Sequence, residues 1–292
     1  MKFPLVIEYN NEDVMDGVGS QLLRILGVYG ISRKYKLHYQ HRSILNCNRE
    51  ELMGSEVDLS EFEALLSEIN NLIKIDSDKH SRDFRTITSL NRKPGRKILF
   101  FYIVYSVLLS PFRIRLILRV TLPFGISDKT PHVYKFGAEV IRRSILLQYE
   151  NQSLPCVLHY RTHLHSPEPN RATLNSKYYE ETVHALIAKQ LLCAKEVVIH
   201  ADILQTDLIE SKLNPKIQDL VSFCKNIAPV ETIVKPNSPF LETFFDMIFA
   251  EVLIMGRSAL SYVAGLLNTG IVAYPPSHGH PRLAHWVVGK DT

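Results

Sequence analysis

Short apolar runs alternate with amphipathic stretches along most of the chain, and this alternation predicts an α/β protein. In the second half, five apolar runs rich in Val and Ile predict buried parallel strands. They are CVLHY (156–160), EVVIHA (196–201), ETIVK (231–235), EVLIM (251–255) and GIVAY (270–274). Helical spacing predicts the helices between them, at 176–192, 206–213, 240–249 and 258–268. This half therefore has the pattern of a doubly wound sheet.

The first half opens with the same kind of unit. FPLVIEY (3–9) predicts a buried strand, residues 18–33 a helix and KLHYQ (36–40) a second strand, which together begin a Rossmann-like fold. Amphipathic helices are predicted at 59–75 and 133–149, with Val133, Phe136, Val140, Ile141 and Ile145 on one face of the second. The polar, basic segment 76–97 between them predicts an exposed loop or short helices. We expect two Rossmann-like domains, 1–150 and 151–292, facing a cleft.

An apolar run at 98–110 (ILFFYIVYSVLLS) raises the question of a membrane. Thirteen residues are too few to span a bilayer, and Pro111, Arg113, Arg115 and Arg119 interrupt any longer span. A buried or partly buried helix is the first expectation. The alternative is an element that contacts a membrane surface through residues 98–122, because apolar residues mixed with Arg also suit lipid head groups.

Composition narrows the class of protein. The 292 residues are 46% hydrophobic and 22% charged, which is typical of a globular protein. The four cysteines lack the spacing of a zinc or disulfide framework, so we expect a reducing compartment, the cytoplasm. MKFPLVIEYNNEDVMDG predicts a buried strand and not a signal peptide. The net charge of +4 is spread along the chain, and no stacking aromatics accompany the local basic clusters at 82–97 and 113–119, which argues against nucleic-acid binding.

The first candidate site is the turn Asp16–Gln21, where Gly17 and Gly19 precede a helix. Glycines let backbone amides approach a ligand, and a helix N-terminus favours negative charge. The turn is not a dinucleotide fingerprint, because Leu22 stands at the third glycine position, and no Walker lysine follows. No cofactor is therefore expected. The alternative is that the glycines only form a tight turn.

The second candidate follows strand CVLHY, at His159–His163. A guanidinium at a strand end, here Arg161, can hold a diphosphate and stabilise it as a leaving group, and Arg171 follows ten residues later. His159, His163 and His165 do not predict a metal site, because no acidic residue lies among them and a loop gives their spacing no fixed geometry.

The third candidate is the turn Gly256–Ser261 after strand EVLIM. Ser258 at a helix start is a natural N-cap, and this is the plainer interpretation. The alternative is that free amides and the hydroxyls of Ser258 and Ser261 hold a diphosphate. A serine-hydrolase turn is excluded because Leu260 stands where the second glycine is required.

In their order and spacing the three segments resemble the fucosyltransferase-like sugar transferases, which include α1,2-, α1,6- and protein O-fucosyltransferases. Gly17–Gln21 is similar to the G-x-G-N-Q-type loop of that superfamily, and His159–Arg161 to its H-x-R-R-G-D motif. Asn170–Arg171, Asn175 and Tyr178–Tyr179 resemble the segment that follows the motif, and 246–264 (DMIFAEVLIMGRSALSYVA) resembles the closing pattern. Thr162 replaces the second Arg and the acid of the motif is absent, so a donor other than GDP-fucose stays open.

The resemblance implies a two-domain, inverting, metal-independent glycosyltransferase of the GT-B type. The acceptor glycan is expected on the N-terminal half and a nucleotide sugar, first of all a GDP-linked one, on the C-terminal half, in polysaccharide or glycoconjugate biosynthesis. Arg161 and Asp16 are the catalytic candidates, Asp16 as base with Glu8 and Asp13 behind it, although each acid is also explained as an ordinary solvated carboxylate. The donor-binding candidates are Gly17, Gly19, Gln21, His159, Arg171, Asp202, Arg257, Ser258 and Ser261.

Other assignments stay open beside these. Asp246 is a further candidate for the nucleotide, and the loop Tyr274–His280 is a candidate for contact with donor or acceptor or an ordinary strand exit. The competing class is a noncatalytic binding protein of the same fold, and a UDP- or CMP-linked donor is the alternative within the transferase class.

Overall fold

The structure is a computed structural model, which describes residues 2–12, 17–42, 67, 85–148, 154–161, 174–192, 196–202, 215–227, 230–236, 238–276 and 278–289. The chain divides into two compact units between Glu150 and Asn151, apart from Arg49–Val57, which lie outside the described residues. We call them the N-terminal unit and the C-terminal unit. Both contain parallel sheets with helices between the strands, so the predicted α/β class is confirmed.

The N-terminal unit has a parallel sheet in the order β2-β1-β4-β3. Its elements are β1 (Val6–Tyr9), α1 (Val18–Lys34), β2 (His38–Gln40), β3 (Arg85–Asn91), α2 (Arg96–Leu109), β4 (Ile114–Val120), α3 (Phe124–Ser127) and α4 (Val133–Gln148). Helix α1 is buried along most of its length because it packs between the sheet and α4. A Cβ at Gly30 would lie 2.1 Å from the carbonyl oxygen of Val133, so glycine permits this close packing.

The C-terminal unit has six parallel strands in the order β10-β9-β8-β5-β6-β7. Its elements are β5 (Leu154–Arg161), α5 (Ser176–Ala188), β6 (Glu196–Asp202), α6 (Pro215–Asn226), β7 (Glu231–Pro236), α7 (Phe240–Phe249), β8 (Ala250–Ile254), α8 (Ala259–Leu267), β9 (Ile271–Tyr274) and β10 (Val287–Val288). Numbered from the first strand of the unit, this is the order 3-2-1-4-5-6 of a doubly wound nucleotide-binding sheet.

The two faces of this sheet have different helices. Leu158 and Tyr160 of β5 pack with α5 and α6 in one core, which also includes Tyr179 and Phe223. Because side chains alternate along a strand, His159 belongs to the other face, where α7 and α8 pack together. The chain therefore winds in one direction through β5, β6 and β7 and in the other through β8, β9 and β10.

Two expectations from the sequence are wrong, for residues 85–91 and for Phe136. Residues 85–91, expected as loop or short helices, form strand β3. The helix over the apolar run is partly buried, as expected, through Leu99, Ile103 and Ser106. Phe136, expected on the covered face of α4, is exposed, whereas Val133 and Ile141 are buried. The helices predicted at 59–75 and 206–213 lie outside the described residues, apart from residue 67.

None of the helices in the described part of the chain combines the length and the apolarity needed to cross a membrane.

Candidate functional site

The candidate site is the carboxyl edge of the C-terminal sheet where β5 and β8 lie side by side. From β5 the chain leads to α5 on one face, and from β8 it leads to α8 on the other. At such a switch point the two loops diverge and leave a crevice, which is where open α/β sheets bind ligands. Two of the three segments singled out in the sequence, His159–Arg161 and Gly256–Ser261, adjoin this point.

The two strand ends approach each other closely at Gly256. A Cβ there would lie 2.5 Å from the carbonyl oxygen of His159, closer than real Cβ contacts come. Two buried tyrosines of α5 hold the same backbone: Tyr179 donates its hydroxyl to the His159 carbonyl oxygen (3.0 Å), and Tyr178 donates to that of Met255 (3.3 Å). These two hydrogen bonds from α5 thus hold the backbone at the switch point.

The first turn of α8 is closed by its own serines. Ser258 is the N-cap, and its Oγ accepts a hydrogen bond from the Ser261 N–H (3.1 Å). Ser261 donates its hydroxyl to the Gly256 carbonyl oxygen (2.8 Å), and both serines are buried. The His159 Nδ1 lies 3.4 Å from the Ser258 hydroxyl, which links β5 to the cap. In the structure these hydroxyls build the turn, and their role in donor binding stays a prediction.

A third loop, after β9, reaches the same cap. The Nδ1 of His278 accepts from the His280 N–H (3.2 Å), so its Nε2 carries the proton and donates to the Ser258 carbonyl oxygen (3.3 Å). Burial, with the nearby His280 and Arg257, lowers the pKa of His278 to about 3, although the bond to Ser258 opposes this. His278 is therefore neutral at pH 7, and Arg257 is a charged side chain of the turn.

A second polar cluster lies on the same face of the sheet. His159, His200 and Lys235 occupy matching register positions on β5, β6 and β7. The buried His200 contacts Asp246 of α7 (Nε2 to Oδ2, 2.8 Å), and Lys235 donates to the same oxygen (3.0 Å). Although burial alone would raise it, the pKa of Asp246 is lowered by these two partners. Asp246 is thus held as a carboxylate inside an ion-pair cluster.

The structure brings part of the predicted donor set together. His159, Arg257, Ser258 and Ser261 adjoin the switch point, and Arg161 is the register partner of Asp202 at the ends of β5 and β6. The side chains of Arg161 and Asp202 are outside the described part of the structure, as are Asp13, Asp16, His163, His165 and Arg171.

The glycine turn belongs to the N-terminal unit. Gly17 is the N-cap of α1, and its carbonyl oxygen accepts from the amides of Ser20 (3.0 Å) and Gln21 (3.2 Å). Gly19 and Gln21 are buried in the first turn of the helix. These contacts form the first turn of α1, and they do not test the predicted contact with a donor.

Glu8, expected as a solvated carboxylate, is instead buried at the carboxyl end of β1. It accepts a hydrogen bond from the Arg119 Nε of the paired strand β4 and forms an ion pair with the Arg42 Nε (3.2 Å). Glu12 also contacts both guanidiniums, and the hydrogen bond from Arg42, together with Arg119, lowers its pKa. Glu8 and Arg119 occupy paired positions on adjacent strands, a register that the sequence alone does not reveal.

The chain matches no known family, and its similarity to solved structures is distant. No protein-family model matches the chain, and no curated protein matches it. Among solved structures it is similar to E. coli heptosyltransferase WaaC with ADP, at 8% identity and a TM-score of 0.43 over 98% of this chain and 92% of that one. For E. coli heptosyltransferase WaaC with ADP-2-deoxy-2-fluoro heptose the values are 8% and 0.42, over 99% and 93%. Likeness at this level carries no conclusion about this chain.

Proposed function

We propose that this protein is a glycosyltransferase that holds the diphosphate of a nucleotide sugar at the switch point between β5 and β8. The observation that carries the proposal is the close approach of Gly256 to the His159 carbonyl oxygen. Because residue 256 has no side chain, the backbone at the start of α8 lies directly beside the end of β5. The amides of the first turn of a helix point outward and favour an anion.

The positions of the charged groups support an anionic ligand here. Arg257 is part of the turn itself, and Arg161 ends the neighbouring strand. His278, the residue of the third loop that contacts the cap, is neutral at pH 7. A diphosphate would meet guanidinium and amide donors, the groups that bind it best without a metal.

The proposed reaction is an inverting displacement. The acceptor hydroxyl attacks the anomeric carbon opposite the diphosphate, the new glycosidic C–O bond forms, and the C–O bond to the diphosphate breaks. The leaving diphosphate takes the bonding electron pair, and Arg161 with the amides of α8 neutralises that charge. The hydroxyl proton passes to a carboxylate, for which Asp16 is the candidate.

The finer assignments rest on the resemblance to fucosyltransferase-like enzymes. They are a GDP-linked donor carrying fucose or a similar sugar, a glycan acceptor on the N-terminal unit, and a role in polysaccharide or glycoconjugate biosynthesis. Gly17, Gly19, Gln21, His159, Arg171 and Asp202 complete the proposed donor site. Asp202 is assigned to the nucleotide ribose or base.

Nucleotide binding is the first test. Thermal unfolding with GDP, UDP, CMP and dTDP should show a higher melting temperature with one of them, because a ligand of the folded state stabilises it. Arg257→Gln should reduce that shift. Lys225→Gln, which removes an exposed charge from α6 on the opposite face of the sheet, should leave it unchanged. A chain that responds to none of the four nucleotides would contradict the proposed donor site.

Turnover is the second test. A transferase usually releases some sugar to water, so donor hydrolysis can be followed before the acceptor is known. We expect Arg161→Ala to lower hydrolysis by about 10²–10³-fold at an unchanged melting temperature, the loss typical of removing one group that stabilises a developing anion. Near-normal turnover would remove Arg161 from the mechanism. Nucleotide binding without any hydrolysis or transfer would identify a noncatalytic binder instead.

A further inference from the structure

Helix α2 exposes an unusually apolar surface. Phe101 is 63% exposed, Leu108 62%, and Phe112, in the helical turn that follows, 75%. We call this surface the aromatic face, and it consists of Phe100, Phe101, Val104, Tyr105, Leu108 and Phe112. A surface helix of a globular protein normally carries polar residues on its outer side, and a contiguous exposed apolar patch marks an interaction site.

The packing of α2 explains why so much of it is exposed. Leu99, Ile103 and Ser106, spaced four and three residues apart, form its buried stripe. The remaining apolar side chains therefore have no place in the core of the N-terminal unit, although the helix is almost entirely apolar between Ile98 and Leu109. The exposed aromatic residues are therefore not needed for the packing of the N-terminal unit.

The charged residues of the segment that carries the aromatic face have a single sign. Residues 85–127 contain eight Lys and Arg residues and no Asp or Glu, in a chain whose net charge is only +4. Arg92, Lys93, Arg96 and Lys97 are exposed at the start of α2, and Arg113 is exposed just after Phe112. Lys34 lies near Arg96, and burial together with this neighbouring charge lowers its pKa. Cations thus lie at both ends of the apolar surface.

We propose that the aromatic face and its flanking cations bind the surface of an anionic lipid bilayer. The aromatic side chains would enter the boundary between head groups and acyl chains, and the Arg and Lys side chains would contact lipid phosphates. A second copy of this chain is the poorer occupant, because a symmetric dimer through this face would bring two sets of cations together. This proposal does not depend on the transferase activity.

Vesicle sedimentation of the full chain tests the proposal. The protein should sediment with vesicles of phosphatidylcholine and phosphatidylglycerol in equal parts and far less with phosphatidylcholine alone. Binding should weaken as NaCl is raised from about 50 mM to about 500 mM, because salt screens the charges. Arg96→Gln/Lys97→Gln should weaken it by about tenfold or more, since each surface cation contributes about fivefold. Lys177→Gln/Lys225→Gln, the same change at exposed positions of the C-terminal unit, should have no effect.

The aromatic face is tested separately. Phe101→Ser/Phe112→Ser should weaken binding to the anionic vesicles, whereas Val221→Ser, at an exposed apolar position of α6, should not. In Phe101→Trp, brominated lipids should quench the new tryptophan and leave the emission of the wild type unchanged, because its single tryptophan, Trp286, is buried in the C-terminal unit. Unchanged melting temperatures would show that the variants are folded.

Three results would overturn the proposal. They are the absence of vesicle binding, equal binding to neutral and anionic vesicles, and a wild-type dimer that Phe101→Ser/Phe112→Ser converts to a monomer without any vesicle binding. The last result would assign the face to a second copy of the chain.

Discussion

A methyl group added at position 256 would meet the backbone of the neighbouring strand. The Cβ of Gly256→Ala would lie 2.5 Å from the His159 carbonyl oxygen, whereas ordinary van der Waals contact begins at 3.4 Å. The ends of β5 and β8 would therefore have to separate by nearly an ångström. The carbonyl cannot move away cheaply, because β5 is paired with β6 on one side and β8 on the other.

The expected loss of stability follows from these contacts. Overpacking of a well-packed site costs about 1–3 kcal/mol. The same Cβ lies 3.2 Å from the Tyr179 hydroxyl, which donates to that carbonyl oxygen, so part of a buried hydrogen bond is lost as well. We expect Gly256→Ala to lower the free energy of unfolding by about 3 kcal/mol. Urea unfolding at pH 7 measures it.

Gly279→Ala is the matched control. A Cβ there meets nothing within 4 Å, and neither glycine has a positive φ angle, so the two variants differ only in local space. Gly279→Ala should change the free energy of unfolding by less than about 0.5 kcal/mol. If the two variants were equally stable, the close approach at the switch point would be refuted, and with it the observation on which the proposed donor site rests. Where Gly256→Ala is still folded, it should also bind the nucleotide more weakly.

Two further changes test the polar clusters of the C-terminal unit by urea unfolding against pH. Folding lowers the pKa of His278 from 6.5 to about 3, so the wild type should lose stability relative to His278→Gln as the pH falls from 6.5 towards 3, by up to about 1.4 kcal/mol per pH unit. The exposed His285→Gln is the control, and parallel curves for wild type and His278→Gln would contradict the burial. Asp246→Asn should lower the free energy of unfolding by about 2 kcal/mol at pH 7. Because folding lowers the pKa of Asp246 from 3.8, protonation removes the stabilising contribution of the carboxylate, and the difference between the two proteins should shrink as the pH falls below 3.8. Glu242→Gln, which removes an exposed carboxylate from the same Lys235, should cost less than about 0.5 kcal/mol, and equal losses would contradict the difference in burial.

The C-terminal sheet was predictable because its strands are buried on both faces. Such strands are continuous runs of Val and Ile, and β5, β6, β8 and β9 each coincide with a predicted run to within about two residues. Strand β7 was also predicted, although it is an exposed edge strand. Helix α6 was not predicted at Pro215–Asn226, where polar residues occupy much of the segment.

The N-terminal sheet shows why other elements were missed. Strand β3 has the sequence RTITSLN, and most of it is exposed at a sheet edge, so it has no apolar run to reveal it. Strand β4 was not predicted, because Arg115 and Arg119 interrupt its apolar pattern and suggested the edge of a core or a membrane-surface element. Its Arg119 is accommodated because it pairs with the buried Glu8 across the ladder. A local pattern cannot show a charge whose partner is 111 residues away.

The candidate site also combines local features, which a sequence can show, with contacts between distant elements, which it cannot. Strand ends and a helix cap are local features, and the sequence located His159 and Ser258 from them. The contact of His278 with that cap and the contact of His200 with Asp246 join elements that are distant along the chain. Only the strand order, which places β5 beside β8, brings them to one edge of the sheet.

The carboxyl edges of the two sheets differ in how their charges are compensated, and the difference bears on where an anion would bind. In the N-terminal unit, Arg42 and Arg119 already contact Glu8 and Glu12. A diphosphate there would have to displace carboxylates that the fold holds in place, and breaking a buried ion pair is costly. At the switch point of the C-terminal unit the cap is closed by neutral groups, with Arg257 beside it. The proposed diphosphate would therefore displace fewer charged partners in the C-terminal unit than in the N-terminal unit.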